Sequence, residues 1–214
     1  LMQNQQGQMH ENLNTGAVPQ QLNHGGHEIM DVQEVLSGAL DTLNLYMMLR
    51  PQIKDQELID ILDRQYQFIA DEYNITLDCF KSGQDPSKPT QSYKMKQSND
   101  FIYGLKPTQP RKPVQSLSEI TDANISCSML GAVKSTATMK TMAALETTNP
   151  VVRRVLADSI PNCIEMAYEL SSYQNKHHYY QVPQFAQQDV QQMLNMFAPA
   201  QLQPQMQTNN NMTH

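Results

Sequence analysis

The arrangement that most restricts this chain is two pairs of long amphipathic segments held apart by residues 84–115, a stretch punctuated by Pro86, Pro89, Pro107, Pro110 and Pro113. The first segment, about 28–49, places apolar residues at Ile29, Val32, Leu36, Ala39, Leu43 and Tyr46. Steps of three and four are the spacing of a helix with one buried stripe. Arg50-Pro51 ends it, because the residue before a proline disfavours helical geometry. The second segment, about 55–81, opens at Asp55, whose carboxylate suits an N-cap. Its stripe reads Ile59, Leu62, Tyr66, Ile69, Tyr73 and Phe80, and Ser82-Gly83 supplies a left-handed close.

The third segment, about 116–147, starts with the capping box Ser116 and Glu119 and is rich in small residues, which lets neighbouring backbones approach closely. Asn149-Pro150 restarts the chain as cap and first helical residue. The fourth, about 150–175, carries Val152, Leu156, Ile160, Cys163, Ala167 and Leu170, with Pro161 inside it as a kink. Short turns within each pair make its helices antiparallel. A second helix of about 40 Å must be retraced if the third runs parallel to it, and an extended chain covers that in about a dozen residues. Residues 84–115 have that reach, and Ser92 to Leu105 reads as a short helix within them. No segment reads as a strand. The expectation is an all-α chain: a ferritin-like four-helix bundle over 25–183, with a long crossover between helices 2 and 3.

That connectivity poses a question about metal. A di-iron bundle needs a Glu from each of two helices and Glu-x-x-His from each of the other two. The second helix offers Asp63, Asp71 and Glu72, and the fourth offers Glu165 and Glu169, with no histidine three residues on. The six histidines, His10, His24, His27, His177, His178 and His214, fall outside the helix interiors. Glu72 and Glu169 lie beside core positions and read as hydrogen-bonded carboxylates at the edge of a stripe. In "NHGGHEIMDVQEVLSG", His24 and His27 bracket two glycines before Glu28. This is a weak metal motif without a third ligand nearby, and a reasonable helix start with Glu28 and Asp31 at the positive end of the dipole. The expectation is no catalytic residue, no cofactor and no metal, with His24, His27, Glu28, Glu72 and Glu169 as the weak candidates. Cys79, Cys127 and Cys163 are far apart and read as small buried hydrophobes.

Composition narrows the partners. A net charge of −6 speaks against nucleic acid. No run of about 18 apolar residues predicts a membrane span, and the first residues lack a signal-peptide pattern, which places the chain inside a cell. Ten Gln or Asn within 1–24 and thirteen within 184–214 make those ends mobile arms. "DVQQMLNMF" adds a short docking helix near 187–197. "KHHYYQVPQF" reads as a segment folding back onto the bundle, or as a partner contact. The Gln-rich arms and exposed lysines suit isopeptide cross-linking, and Tyr179 and Tyr180 suit dityrosine.

The stretches "GGHEIMDVQEVLSG", "DQELIDILDRQYQFIADEYN" and "NPVVRRVLADSIPNCIEMAYELSSYQNKHHYYQVPQF" resemble the spore coat protein F family of endospore-forming bacilli. The resemblance spans about 23–198. It implies a ferritin-like bundle without catalytic residues, residence in the endospore (coat, forespore or spore interior), and partners among other spore proteins or further copies of itself. Two readings compete with a structural protein. One is a metal-binding or oxidase-like ferritin fold with a degenerate site among Glu34, Asp63, Glu72, Glu119, Glu165 and Glu169. The other is a small-molecule carrier, which requires a sizeable internal cavity.

Overall fold

The computed structural model describes residues 24–200. Over those residues the chain is all-α. α1 spans Gly26–Leu49, α2 Gln56–Ser82, α3 Asp122–Glu146, α4 Pro150–Lys176 and α5 Gln187–Leu194, with single 3-10 turns at Arg50–Gln52 and Leu117–Glu119. An isolated bridge between Tyr103 and Val182 is the only β pairing among the described residues. The four long helices pack as neighbours in the order α1, α2, α4, α3, with α3 closing back on α1.

Local chemistry sets the boundaries. Asp55 accepts the Glu57 amide at 2.9 Å, and Asn149 accepts those of Val151 and Val152 at 2.9 and 3.1 Å. α2 closes on Gly83 at φ 60°, where a side chain would be strained. α3 begins later than Ser116. Its capping box is Thr121 with Asn124, while the Glu119 carboxylate accepts the Gln115 amide in the preceding turn. α4 runs through Pro161 as one helix.

The crossover does not form a helix over 92–105; it is extended and hydrogen-bonded to α4 side chains. The Tyr93, Lys96 and Ile102 amides donate to Asn162, Glu169 and Asn175. Asn162 and Asn175 donate in return to the Gln91 and Ile102 carbonyls. Thr90 donates to Asp158 at 2.7 Å, and Ser172 to the Ser98 carbonyl at 3.1 Å. Donors that a helix would bond internally are thus satisfied by polar residues along one face of α4, spaced three, four and seven apart.

The buried stripes match the expected ones in part: Val32, Ala39, Leu43 and Tyr46 on α1 and Leu62 and Ile69 on α2 are buried, and the other expected positions are not. On α1, Glu28, Val35 and Thr42 are buried, Ile29 is exposed and Leu36 is half-buried. On α2, Leu58, Ile61, Gln65 and Glu72 face inward, while Tyr66 and Tyr73 are only half-buried. The apolar core falls into two clusters. One gathers Tyr46, Leu62, Ile69, Met129, Met166 and Tyr173. The other gathers Val32, Ile75, Cys79, Ala143, Val152 and Leu156. The expected burial of cysteine holds for Cys79 and Cys163 but not for Cys127, which is exposed. Helical spacing near Cys127 does not by itself say which side of α3 faces a neighbour.

Candidate functional site

Two polar layers occupy the interior, and their members repeat at seven residues along the facing helices: Gln65 and Glu72 on α2, Asn162 and Glu169 on α4. A step of seven returns to nearly the same side of a helix, so each helix contributes to both layers from one stripe.

In the first layer Glu169 is fully buried. Its carboxylate accepts Arg64 Nη2 at 2.7 Å, Gln65 Nε2 at 3.2 Å and the Lys96 amide at 3.1 Å. It also accepts a short hydrogen bond from the Tyr93 hydroxyl. Gln65 is held in turn by the Tyr46 hydroxyl, which donates to its carbonyl oxygen at 2.7 Å. Burial opposes the Arg64 charge, but the hydrogen bonds of Glu169 and Asp60 outweigh it and keep the guanidinium protonated above its ordinary range. Burial, then the Glu169 carboxylate, pushes the Tyr93 phenol upward, so it remains a donor.

In the second layer Lys140 Nζ donates to Glu72 Oε1 at 2.9 Å and Asn162 Nδ2 to Glu72 Oε2 at 2.7 Å. All three residues are buried. Desolvation works against the Lys140 ammonium, yet the Glu72 charge holds its pKa above the ordinary value. This layer separates the two apolar clusters. Beside it is a cavity of about 20 Å³, lined by residues that include Thr76, Thr136, Lys140 and Cys163. That volume suits one water molecule. A volume of that size is far smaller than a carrier requires.

The start of α1 forms a third cluster. His24 Nδ1 is 2.7 Å from Glu28 Oε1, and His24 Nε2 is 2.8 Å from the Phe80 carbonyl, so both ring nitrogens face acceptors. Glu28 Oε2 accepts the Thr148 amide and hydroxyl at 3.0 and 2.7 Å and the Asn149 amide at 3.2 Å. Burial raises the Glu28 pKa, but these bonds prevail and leave it below the usual carboxylate range. Gly25 packs closely at this junction: a Cβ there would lie 3.3 Å from the Thr148 hydroxyl, which would have to shift by a few tenths of an ångström. Glu28 therefore ties the start of α1 to the start of α4, while His27 is exposed and outside the cluster.

Of the other carboxylates read from sequence, Glu34 and Glu119 are exposed, Glu165 is half-buried, and Asp63 pairs with Arg50 at 2.6 Å on the surface. They do not converge. Glu72 and Glu169 do enter the interior, each opposite a cation of the same chain. Arg64 and Lys140 escaped the sequence reading. The available signal was that each falls on or beside an inward stripe, but a stripe does not name a partner.

The Coat F domain matches residues 121–183, the segment holding α3, α4 and the turn beyond. The spore coat protein F-like protein YhcQ of Bacillus subtilis (strain 168) is 58% identical over 177 residues, which is 83% of this chain and 82% of that protein. No solved structure matches the chain. Identity of that extent, running far beyond the Coat F segment, carries the family assignment: the chain belongs to the spore coat protein F-like family.

Proposed function

We propose that the chain is a non-enzymatic structural and interaction protein of the endospore coat. We further read its fold as a ferritin-like four-helix bundle in which a long crossover joins α2 to α3. The observation that carries this reading is the internal pairing of two buried carboxylates of the interior layers, Glu72 with Lys140 and Glu169 with Arg64. A di-iron site uses carboxylates to neutralise bound ions. Here protein cations supply the opposing charge, and a cavity the size of one water adjoins the Glu72–Lys140 pair.

The outer surface supports an assembly role. Residues 183–200 are exposed throughout, and α5 presents Val190, Met193 and Leu194, with Phe197 beyond its end. A helix of eight residues without packing is marginal in water, so an apolar face of this kind suits association with other coat proteins or with further copies. The Gln- and Asn-rich arms expected from sequence at 1–24 and 184–214 fall within the described residues only in part. Residues 1–23 and 201–214 lie outside the described residues. Among those described, no helix is long and apolar enough to cross a membrane.

Fractionation of mature spores, followed by immunogold labelling of sections, tests the reading. Signal over the coat layers, in protein whose Lys–Gln or Tyr179 and Tyr180 peptides are partly cross-linked, is the expected result. Signal confined to the spore core refutes coat residence. Oxidation of ferrous iron by purified protein, abolished by Glu72→Gln or Glu169→Gln, refutes the non-enzymatic reading.

A further inference from the structure

At the end of the molecule where α2 begins and α4 stops, three side chains converge that neither interior layer uses. Asp55, Glu57 and His177 each offer one ligand atom, all within 4.8 Å of one another. His177 Nε2 lies 3.4 Å from Asp55 Oδ2 and 3.8 Å from Glu57 Oε2. Three donors around one tetrahedral zinc ion at about 2.0–2.2 Å stand about 3.3–3.6 Å apart. The two His177 distances are close to that without movement of the backbone.

A second observation concerns His177 itself. Its Nε2 atom is shielded from solvent and has no hydrogen-bond partner among the described residues. It faces the two carboxylates. The ring packs against two neighbours: the Tyr173 ring lies 4.5 Å away and the Tyr179 ring stacks at 5.4 Å. The carboxylate of Asp55 is oriented as well. Its Oδ1 accepts the Glu57 amide at 2.9 Å and its Oδ2 the Tyr173 hydroxyl at 2.8 Å, which leaves a lone pair of Oδ2 for an ion. His177 is the C-cap of α4, so the negative end of that helix dipole points here and offsets the positive end of α2.

From this geometry we propose that Asp55 Oδ2, Glu57 Oε2 and His177 Nε2 form a binding site for a divalent transition ion, with zinc the best chemical match. One imidazole with two carboxylates is a borderline donor set that favours zinc over magnesium or calcium, which prefer all-oxygen shells. Water completes the coordination. The ion joins the first turn of α2 to the first residue beyond α4 and fixes the Tyr179 segment that follows. Lys176 is the resident competitor. Its ammonium holds both oxygens of Glu57 at 3.1 and 2.8 Å from an exposed position, so it can swing away when an ion enters. The site deepens the structural reading, in that it clamps helix ends and performs no chemistry.

The test is zinc titration of the purified full-length chain by calorimetry, with elemental analysis after desalting, on wild type and on Glu57→Gln, His177→Gln and Lys176→Ala. The expected wild-type result is one zinc per chain and a higher thermal midpoint with zinc. Glu57→Gln and His177→Gln each weaken binding about tenfold or more. Lys176→Ala tightens it, since the competing cation is gone. Glu57 is partly exposed, so its variant keeps the test open if the His177 variant misfolds, which circular dichroism reports. No retained zinc in wild type overturns the proposal. So does retention undiminished in the double variant Glu57→Gln/His177→Gln, which would place the ion at another histidine. Neither outcome bears on coat residence, which the spore fractionation reads separately.

Discussion

Replacing Lys140 with Met separates the role of its charge from the role of its volume. In the wild type, Lys140 and Glu72 are both buried and meet at 2.9 Å in the layer dividing the two apolar clusters. Met fills nearly the same space but leaves Glu72 with Asn162 alone. Removing one member of a buried pair typically costs about 3–5 kcal/mol, because the remaining charge stays desolvated without its counter-ion. For a chain of this size that is a fall in thermal midpoint of about 6–20 °C. The compensating change is Glu72→Leu in the same chain. It removes the stranded carboxylate and forfeits one hydrogen bond from Asn162, worth about 1 kcal/mol; Asn162 Nδ2 still reaches the Gln91 carbonyl at 2.8 Å. The double variant therefore recovers to within about 1–2 kcal/mol of wild type, since an apolar replacement of an ion pair is often neutral or better. Urea unfolding followed by circular dichroism measures all three proteins. A Lys140→Met variant within about 1 kcal/mol of wild type would refute the reasoning, as would a double variant no more stable than the single.

Three further outcomes are expected. Glu28 has a folded pKa below its ordinary 4.5, so its contribution to stability is complete above that pH and is lost as pH falls through the folded value; Glu28→Gln should flatten the acid limb of a stability–pH curve, and an unchanged limb would count against the cap. The native chain should expose one thiol to a disulfide reagent and three after denaturation, because Cys127 is exposed while Cys79 and Cys163 are buried and the Cys79 thiol is pushed up to about 12; rapid titration of two or more native thiols would contradict it. Tyr93→Phe removes the hydroxyl shared by Arg64 and Glu169 and should cost about 1–3 kcal/mol, with faster proteolysis between residues 84 and 115; resistance equal to wild type would show that the crossover is held by the α4 amide contacts alone.

What the sequence made legible follows from what periodicity encodes. A step of three and four identifies a helix and a buried side, so the all-α class could be read directly, and Asp55, Gly83 and Asn149 act where cap chemistry put them. The same reading went wrong where a polar residue was on the buried side. On α2 it followed Tyr66 and Tyr73 because they are the large apolar-looking members, whereas the neighbouring Gln65 and Glu72 are inside. Helical spacing assigns an angle to each residue but cannot show that a buried charge has a partner far along the chain. Lys140 satisfies Glu72 across 68 positions and Arg64 satisfies Glu169 across 105. The crossover failed for the same reason: residues 92–105 resemble a helix in isolation, and only the polar face of α4 makes the extended form the better hydrogen-bonded one.

That failure carries information about the fold. A buried ion pair stabilises little against an apolar equivalent, but it strongly disfavours any packing that separates its members. Glu72 with Lys140 fixes the axial register of α2 against α3, and Glu169 with Arg64 fixes α4 against α2. A one-turn slip of either pair, about 5.4 Å, strands a charge in the core. Apolar stripes alone would tolerate such a slip more readily, because one leucine replaces another at similar cost. The two layers thus act as alignment pins between the apolar stretches of the core, where Ile125, Met129 and Leu130 of α3 lie on one side of Lys140 and Ala143 on the other.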